Sequence, residues 1–433
     1  MGGNAFNQTL PQASFPRMPP ATYKALKATL LPLVEQFYAL VVVPPEAPEK
    51  PDYGDLDFVV AYPHSDDVVD RVKEAIRAAH YLPQEGRGTS SFAIPVDAFD
   101  LPVDSASEGA FSLSAQDTYI QVDVNVCADR ESWERTVFLH SYGDTGMILG
   151  VIGRSVGVAL GVHGLKVSIV SPFLAPQPDC TSWPIQFMNP LPTNPPISFQ
   201  VSTSLPRILE FYSLSRSRLD DGFATQRELF EWVTTSRLFN ALKVAPAEQT
   251  HNRGKKRRGP RTMYQNFLEY ARERADDPAY APPAETITQD DVLRFFGKEA
   301  EHAALIHASR VKQNAREVFA GKTVEGWIGM KGLPVKWVLD EARGRLNARY
   351  AREHSTGENE QTETLARQPG HEAEAALLTI APWERVLFDM TVEEVQRFVV
   401  GVKTEMEASG TFEVNWQKED ARKAERRKMK AEQ

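Results

Sequence analysis

The hydrophobic pattern of this chain changes near residue 175, and this change constrains the fold more than any other feature. Before it, short apolar runs with strand character alternate with segments of helical spacing, whereas from residue 206 to 352 the pattern is helical. Strands mixed with helices and then followed by helices alone are typical of an α+β protein. We therefore predict a mixed β-sheet domain followed by a mainly helical region.

The same pattern divides the 433 residues into successive segments, and a chain of this length suggests two to three domains. We predict a flexible N-terminus over 1–20, a sheet domain over 21–175, a Pro-rich connection over 176–199, a helical domain over 200–352, a disordered linker over 353–375, and a C-terminal helix with a charged tail over 376–433. Within the sheet domain, the Gly-rich apolar stretch from Met147 to Val162 predicts a helix.

The composition favours an intracellular protein. The 49 Lys+Arg and 58 Asp+Glu give a net charge of −9, which excludes a chain that coats nucleic acid through its overall charge. The two cysteines, Cys127 and Cys180, exclude a disulfide scaffold and a four-cysteine zinc site. The start of the chain has no secretory pattern, and no apolar run is long enough for a membrane span. We expect a protein of the nucleus or cytoplasm with no membrane partner.

Two predicted strands carry carboxylates at alternating positions. Asp55 and Asp57 open the apolar run 55–62 and, being two residues apart, project to the same side of a strand. The alternating segment 118–127 places Asp123 on its polar face. If these strands are neighbours, three carboxylates converge, and carboxylates that close repel one another unless a cation lies between them. We therefore predict that Asp55, Asp57 and Asp123 hold Mg²⁺ or Mn²⁺.

The spacing alone leaves a second interpretation open. A D-x-D triplet is a weak signal, since about one chance occurrence is expected in a chain of this length. Asp55 and Asp57 would then be solvated residues at a strand edge, and Asp123 would belong to an exposed face.

The order of several short motifs adds a family resemblance. The chain resembles the nucleotidyltransferase superfamily and, within it, the polymerase β-like (family X) branch. The resemblance covers about 30–240 and lies in the order of these motifs: Gly54-Asp55-Leu56-Asp57 before an apolar strand, Gly88-Thr89-Ser90-Ser91-Phe92, Ile120-Gln121-Val122-Asp123-Val124, Phe138-Leu139-His140-Ser141-Tyr142-Gly143-Asp144, Ala159 to Val167, and Phe223 to Phe230.

The resemblance implies a nucleotidyltransferase-like fold and a reaction that uses two magnesium ions. Asp55 and Asp57 would bridge the ions, and Asp123 would hold the ion that lowers the pKa of an attacking hydroxyl. A nucleoside monophosphate would then move from a nucleoside triphosphate to an acceptor hydroxyl, with pyrophosphate leaving. The nucleotide contacts that we expect lie at Gly54, Ser141, Tyr142, Gly143 and, in the Gly-rich segment that follows, Arg154.

One departure from the family pattern bears on activity. The family has Gly-Ser about ten residues before the Gly-Asp pair to hold the outer phosphates, whereas here Pro44-Pro45 fall near those positions. Proline has no N–H to donate, and neither residue has a hydroxyl. Lys50 is the only cation of this loop. The chain is then either a slow or unusual transferase, which we take as the leading hypothesis, or a catalytically silent fold that serves as a nucleic-acid- or protein-binding platform. An accidental resemblance, in an unrelated α+β protein, is the third alternative.

A basic segment in the second half is the candidate contact for nucleic acid. Residues 253–261 hold six cations in nine positions, a block that cannot be buried and attracts polyanions. A nuclear-import signal and a solvated loop are the alternatives. The residues that we expect to contact phosphates are Arg253, Lys255, Lys256, Arg257 and Arg258.

Overall fold

The computed structural model describes residues 3–83, 88–102, 117–169, 197–244, 262–280, 287–354 and 379–431. These residues divide into two compact units, the first formed by Met1–Ser168 with Gln200–Gly297 and the second by Ile169–Phe199 with Lys298–Gln433. The fold class is α+β, as the sequence predicts. Most of the predicted Pro-rich connection and linker, and the whole basic segment 253–261, lie outside the described residues.

The first unit is built on a mixed sheet of five strands in the order β1-β2-β5-β4-β3. Strands β2 and β5 are parallel neighbours, and the other pairs are antiparallel. The strands are β1 (Tyr38–Val42), β2 (Asp55–Pro63), β3 (His80–Pro83), β4 (Thr89–Pro95) and β5 (Tyr119–Cys127).

One face of this sheet forms the core of the first unit. Leu56 and Phe58 of β2 and Val122 of β5 are fully buried there. They pack with apolar residues of α1 (Pro20–Val34) and α2 (Val68–Ala75), among them Leu26 and Val72. Since alternate strand residues point to opposite sides, this packing fixes the acidic residues of both strands on the other face.

The opposite face is partly covered by α3 (Arg130–His140), which follows β5 directly. Asp129 caps this helix by accepting the backbone N–H of Ser132 at 2.7 Å. The indole of Trp133 donates to the backbone carbonyl of Val59 at 3.0 Å, and its ring packs with Ala61. Helix α3 therefore covers the part of β2 that follows the two acids.

The segment after α3 differs from its prediction. Helix α4 spans Thr145–Arg154, so the helix expected up to Val162 is wrong beyond Arg154. Gly157 has a φ of 77°, in the left-handed region, and reverses the chain into a second, three-stranded sheet. Its strands are β6 (Val158–Gly161), β7 (Gly164–Ile169) and β8 (Ile197–Ser202).

Short helices complete the first unit. They are α5 (Leu205–Tyr212), α6 (Arg216–Asp221), α7 (Gln226–Thr234), α8 (Ala241–Val244), α9 (Thr262–Glu273), a 3₁₀ turn (Pro278–Tyr280) and α10 (Gln289–Phe296).

The N-terminal residues are packed, which corrects the flexible N-terminus predicted over 1–20. Residues 3–18 lie against the five-stranded sheet, where Phe6 and Met18 are buried in spite of the polar sequence around them. A parallel bridge joins Ser14 to Thr118, and an antiparallel bridge joins Met18 to Tyr53. These backbone contacts do not depend on hydrophobic periodicity, so the composition of the segment did not indicate them.

From residue 298 onward, the described residues of the second unit form helices around a core of their own. Val338, Leu346, Leu387, Val395 and Val399 are among its buried residues. The helices are α11 (Glu299–Val318), α12 (Gly321–Ile328), α13 (Leu333–Glu353), α14 (Pro382–Phe388), α15 (Val392–Ala408) and α16 (Thr411–Ala431).

Candidate metal centre

The structure brings the three acids together on the polar face of the five-stranded sheet. In the parallel pair of β2 and β5, Asp57 lies opposite Asp123 and Asp55 lies opposite Gln121. One carboxylate oxygen of each acid lies within 4.8 Å of those of the other two. Residues 68 positions apart in sequence thus form one cluster because two strands pair in register.

Burial and mutual repulsion shift the acid–base behaviour of these groups. Burial, together with the charge of Asp123, raises the pKa of Asp55 to about 6. The pKa of Asp57 is raised well above its ordinary range by burial, and further by the charges of Asp55 and Asp123. Burial also raises the pKa of Asp123, although the Gln121 amide acts in the opposite direction. The cluster is therefore costly to ionise unless a positive charge is present.

The donor set fits a hard divalent cation. Three carboxylates offer the oxygen ligands that Mg²⁺ and Mn²⁺ prefer, and such an ion keeps further coordination positions for water or phosphate oxygens. Beside them, the fully buried Ser91 lies opposite Asp123 in the register of β4 and β5. Its hydroxyl interacts with the Asp123 carboxylate and lowers the pKa of that group.

The loop that enters β2 brings a basic group, Lys50, close enough to act on the acids. Lys50 lowers the pKa of both Asp55 and Asp57, but its ammonium is paired with the carboxylate of Glu46. Glu46 also accepts a hydrogen bond of 2.6 Å from the hydroxyl of Tyr23. The Tyr23 ring stacks on that of Tyr53 at 3.9 Å between centroids, and the Lys50 ammonium lies 4.7 Å from the Tyr53 ring. The Lys50 ammonium, the cation of this loop that could bind phosphates, is thus held by its contacts with Glu46 and Tyr53.

The segment expected to contact the nucleotide sugar holds this loop in place. The backbone N–H of Tyr142 donates to the carbonyl of Pro45 at 2.6 Å, while its hydroxyl donates to the carbonyl of Leu219. Gly143 has a φ of 68°, and a Cβ there would lie 2.8 Å from that of Ala47. The Ser141 hydroxyl donates to the carbonyl of Val137. These contacts give the segment a structural role, and its contact with a nucleotide stays a prediction.

The two remaining predicted nucleotide contacts, Gly54 and Arg154, differ in burial. Gly54 is buried directly before Asp55 at the start of β2. Arg154 is exposed at the end of α4, where its Nε donates to the carbonyl of Gly150 at 3.2 Å.

A cleft that the sequence did not predict opens on the same side of the sheet as the acids. It has a volume of about 290 Å³. Val42, which lies opposite Val59 in the register of β1 and β2, lines it together with Trp133 and Phe138. Its other wall carries Leu219 and Asp220 of α6. The sequence feature that could have indicated this cleft is Trp133, an aromatic residue in the first turn of α3.

Sequence reasoning assigned no role to two neighbours of the acids. The alternation along β5 places Gln121 on the same face as Asp123, and Ser91 of β4 lies on that face as well. Residues 3–5 and Glu46 carry no such signal, because they reach the site through the folding of loops.

Comparison with known proteins identifies no relative, since neither a family model nor a curated protein matches this chain. Among the described residues, no helix combines the length and apolar character needed to cross a bilayer. The candidate nucleic-acid contacts at 253–258 lie outside the described residues, so their role stays a prediction.

Proposed function

We propose that this chain is a divergent, metal-dependent nucleotidyltransferase of the polymerase β-like type. It would transfer a nucleoside monophosphate from a nucleoside triphosphate to an acceptor hydroxyl that is not identified. The observation that supports this proposal most is the convergence of Asp55, Asp57 and Asp123 on one face of two parallel strands. Three acids retained in one cluster at an electrostatic cost indicate a use for them.

The residues of the chain divide the work of this reaction. Asp55, Asp57 and Asp123 would hold Mg²⁺ or Mn²⁺, which supplies positive charge for the phosphate oxygens and activates the acceptor hydroxyl. The buried residues on the other face of β2 and β5 hold the carboxylates in place before substrate arrives, so little reorganisation accompanies the reaction. The acceptor hydroxyl loses its proton to water, and its oxygen forms a bond to the α-phosphorus. The bond from that phosphorus to the oxygen that bridges it to the β-phosphate breaks, and pyrophosphate leaves with that oxygen.

A second function is favoured by one specific observation. Pro44 and Pro45 stand where the family has its phosphate-holding Gly-Ser, and the cation of the same loop, Lys50, is paired with Glu46. Triphosphate binding would therefore be weak, as expected of a silent fold that acts as a binding platform. In either case, we propose that Arg253, Lys255, Lys256, Arg257 and Arg258 contact nucleic-acid phosphates.

One experiment separates the two functions. The protein is incubated with labelled nucleoside triphosphates, Mg²⁺ or Mn²⁺, and acceptors that include RNA and DNA ends, small hydroxyl compounds and proteins. A transferase gives metal-dependent label transfer that Asp57→Asn and Asp123→Asn abolish. Asp52→Asn is the matched control, because Asp52 pairs with Arg17 near the surface and lies outside the cluster. Absence of both transfer and metal-dependent triphosphate binding would overturn the transferase and leave the platform.

A parallel binding measurement tests the basic segment. Deletion of residues 253–261 is expected to weaken RNA or DNA binding and to flatten its dependence on salt, since fewer counterions are released. Unchanged affinity and an unchanged salt slope would remove the segment from the proposal.

A further inference from the structure

The N-terminal segment of residues 3–18 is anchored beside the acidic cluster. Ser14 joins it to β5, donating its N–H to the carbonyl of Asp117 and accepting the N–H of Tyr119, both at 2.9 Å. The buried ring of Phe6 stacks on Phe15 at 5.4 Å between centroids, and Phe15 lies 5.9 Å from the ring of Tyr119. Backbone pairing and aromatic packing therefore fix the path of this segment across the sheet.

This path brings Gly3 and Ala5 to the cluster. Gly3 is buried with a φ of 78°, and a Cβ at this position would lie 2.8 Å from the carbonyl oxygen of Gly54, the residue before Asp55. Only glycine combines that backbone conformation with so close an approach. Two residues later, the backbone N–H of Ala5 donates to the side-chain oxygen of Gln121 at 2.9 Å.

Gln121 connects Ala5 to Asp123, the third acid of the cluster. Gln121 is 4% exposed, and its Nε2 lies 3.1 Å and 2.9 Å from the two carboxylate oxygens of Asp123. The Ala5 N–H holds the amide oxygen, so the amide nitrogen must face the carboxylate. The reverse orientation would place two acceptors, Oε1 and the carboxylate, against each other.

We propose that the N-terminal segment is part of the metal centre, and that Ala5 acting through Gln121 positions the Asp123 carboxylate for the cation. This inference rests on the metal site of the proposed function. A carboxylate with both oxygens held by one amide keeps its other lone pairs directed away from that amide, towards Asp55 and Asp57. Without the amide it would rotate away from two like charges. Gln121 and Ala5 are positioning residues, since neither need touch the ion.

Mn²⁺ binding to the full chain at pH 7 tests the proposal. Gln121→Met keeps the volume and removes the donor, while Ala5→Pro removes the backbone N–H. We expect each variant to weaken Mn²⁺ binding about 10-fold, the lower end of the range for residues behind a metal ligand. The Mn²⁺ electron paramagnetic resonance spectrum should also change, because the carboxylate no longer has a fixed orientation. Since Ala5 acts through Gln121, the double variant should bind Mn²⁺ no more weakly than whichever single variant has the lower affinity.

Matched controls separate positioning from packing. Ala5→Gly keeps the N–H and should retain both the affinity and the spectrum of the unsubstituted protein. Thr9→Val removes only a local hydroxyl contact to the carbonyl of Phe6 and should behave likewise. Unchanged affinity in Gln121→Met, or effects of the two substitutions that add independently, would overturn the proposal while leaving the metal site intact. If the unsubstituted protein binds no Mn²⁺, the proposed function fails together with it.

Discussion

Asp55 is buried beside a second carboxylate, Asp123, and its ionisation therefore lowers the stability of the folded protein. Its pKa in the folded protein is about 6, against an ordinary value of 3.8, so between these pH values the folded state holds more protons than the unfolded state. The free energy of unfolding without divalent cations must therefore fall, through this group, as the pH rises from about 4 to 6. A bound cation would reverse this loss at neutral pH.

We predict that Asp55→Asn stabilises the cation-free protein at pH 7. The amide removes one like charge from the cluster, and the expected gain is about 2 kcal/mol in the free energy of unfolding. Denaturant unfolding in EDTA at pH 4.5 and pH 7 measures it, with the gain at pH 7 larger than at pH 4.5. Asp66→Asn, at an exposed position, is the control and should change neither value. A variant less stable than the unsubstituted protein at pH 7 would contradict the repulsion inferred here.

At the scale of elements, the loop between β1 and β2 is held from several sides. Tyr142 binds it through Pro45, and the carboxylate of Glu49 accepts the N–H of Gln226 at the start of α7. Within the loop, Glu46 holds Lys50 and raises the pKa of both Asp55 and Asp57. The negative charge of Glu46 thus opposes the binding of an anion beside the acids.

We predict that Glu46→Gln tightens binding of a non-hydrolysable nucleoside triphosphate in the presence of Mg²⁺. Glutamine can still accept the hydrogen bond from Tyr23, but it removes a negative charge and releases Lys50. A tightening of about fivefold, or about 1 kcal/mol, corresponds to one partly solvated ion pair. Equilibrium titration measures it, and Lys50→Met should weaken the same binding. Equal affinities for Glu46→Gln and the unsubstituted protein would show that the loop does not meet the phosphates.

The sequence indicates which way the side chains of each strand point, but it gives little information on which other elements lie next to the strands. Alternation along β2 and β5 gives the face of each acid directly, because the apolar partners Phe58 and Val122 require burial. The same alternation could not show that β2 and β5 are neighbours, which is a property of the sheet order. Helix α4 was extended too far because Gly157 fits a helical spacing as well as a left-handed turn. Gly3 reaches the acids through backbone pairing, for which hydrophobic periodicity gives no signal.

At the scale of the whole molecule, two cores support different parts of the chain. The first unit carries the acids on its sheet, whereas Leu387 belongs to the core of the second unit, among α13, α14 and α15. Asp55, Asp57 and Asp123, the candidate cation site, all belong to the first unit. Damage to the helical core should therefore leave the cation site unaffected.

We predict that Leu387→Ala destabilises α13 to α15 without changing Mn²⁺ affinity. Leu387 is fully buried, so the truncation should cost about 2 to 5 kcal/mol. Hydrogen exchange followed by mass spectrometry measures this as faster exchange in these helices, with β2 and β5 unchanged. Lys336→Ala, on an exposed position of α13, is the control. Equally faster exchange in β2 and β5 would show that the two cores unfold as one.

Calorimetric titration of the metal-free protein with Mn²⁺ at pH 7 tests the metal centre most directly. We expect saturable binding that Asp57→Asn abolishes and Asp52→Asn preserves, because Asp57 lies opposite Asp123 between the paired strands whereas Asp52 is paired with Arg17 near the surface. An unsubstituted protein that binds no Mn²⁺, or an Asp57→Asn variant that binds it equally well, would contradict a metal site at these acids.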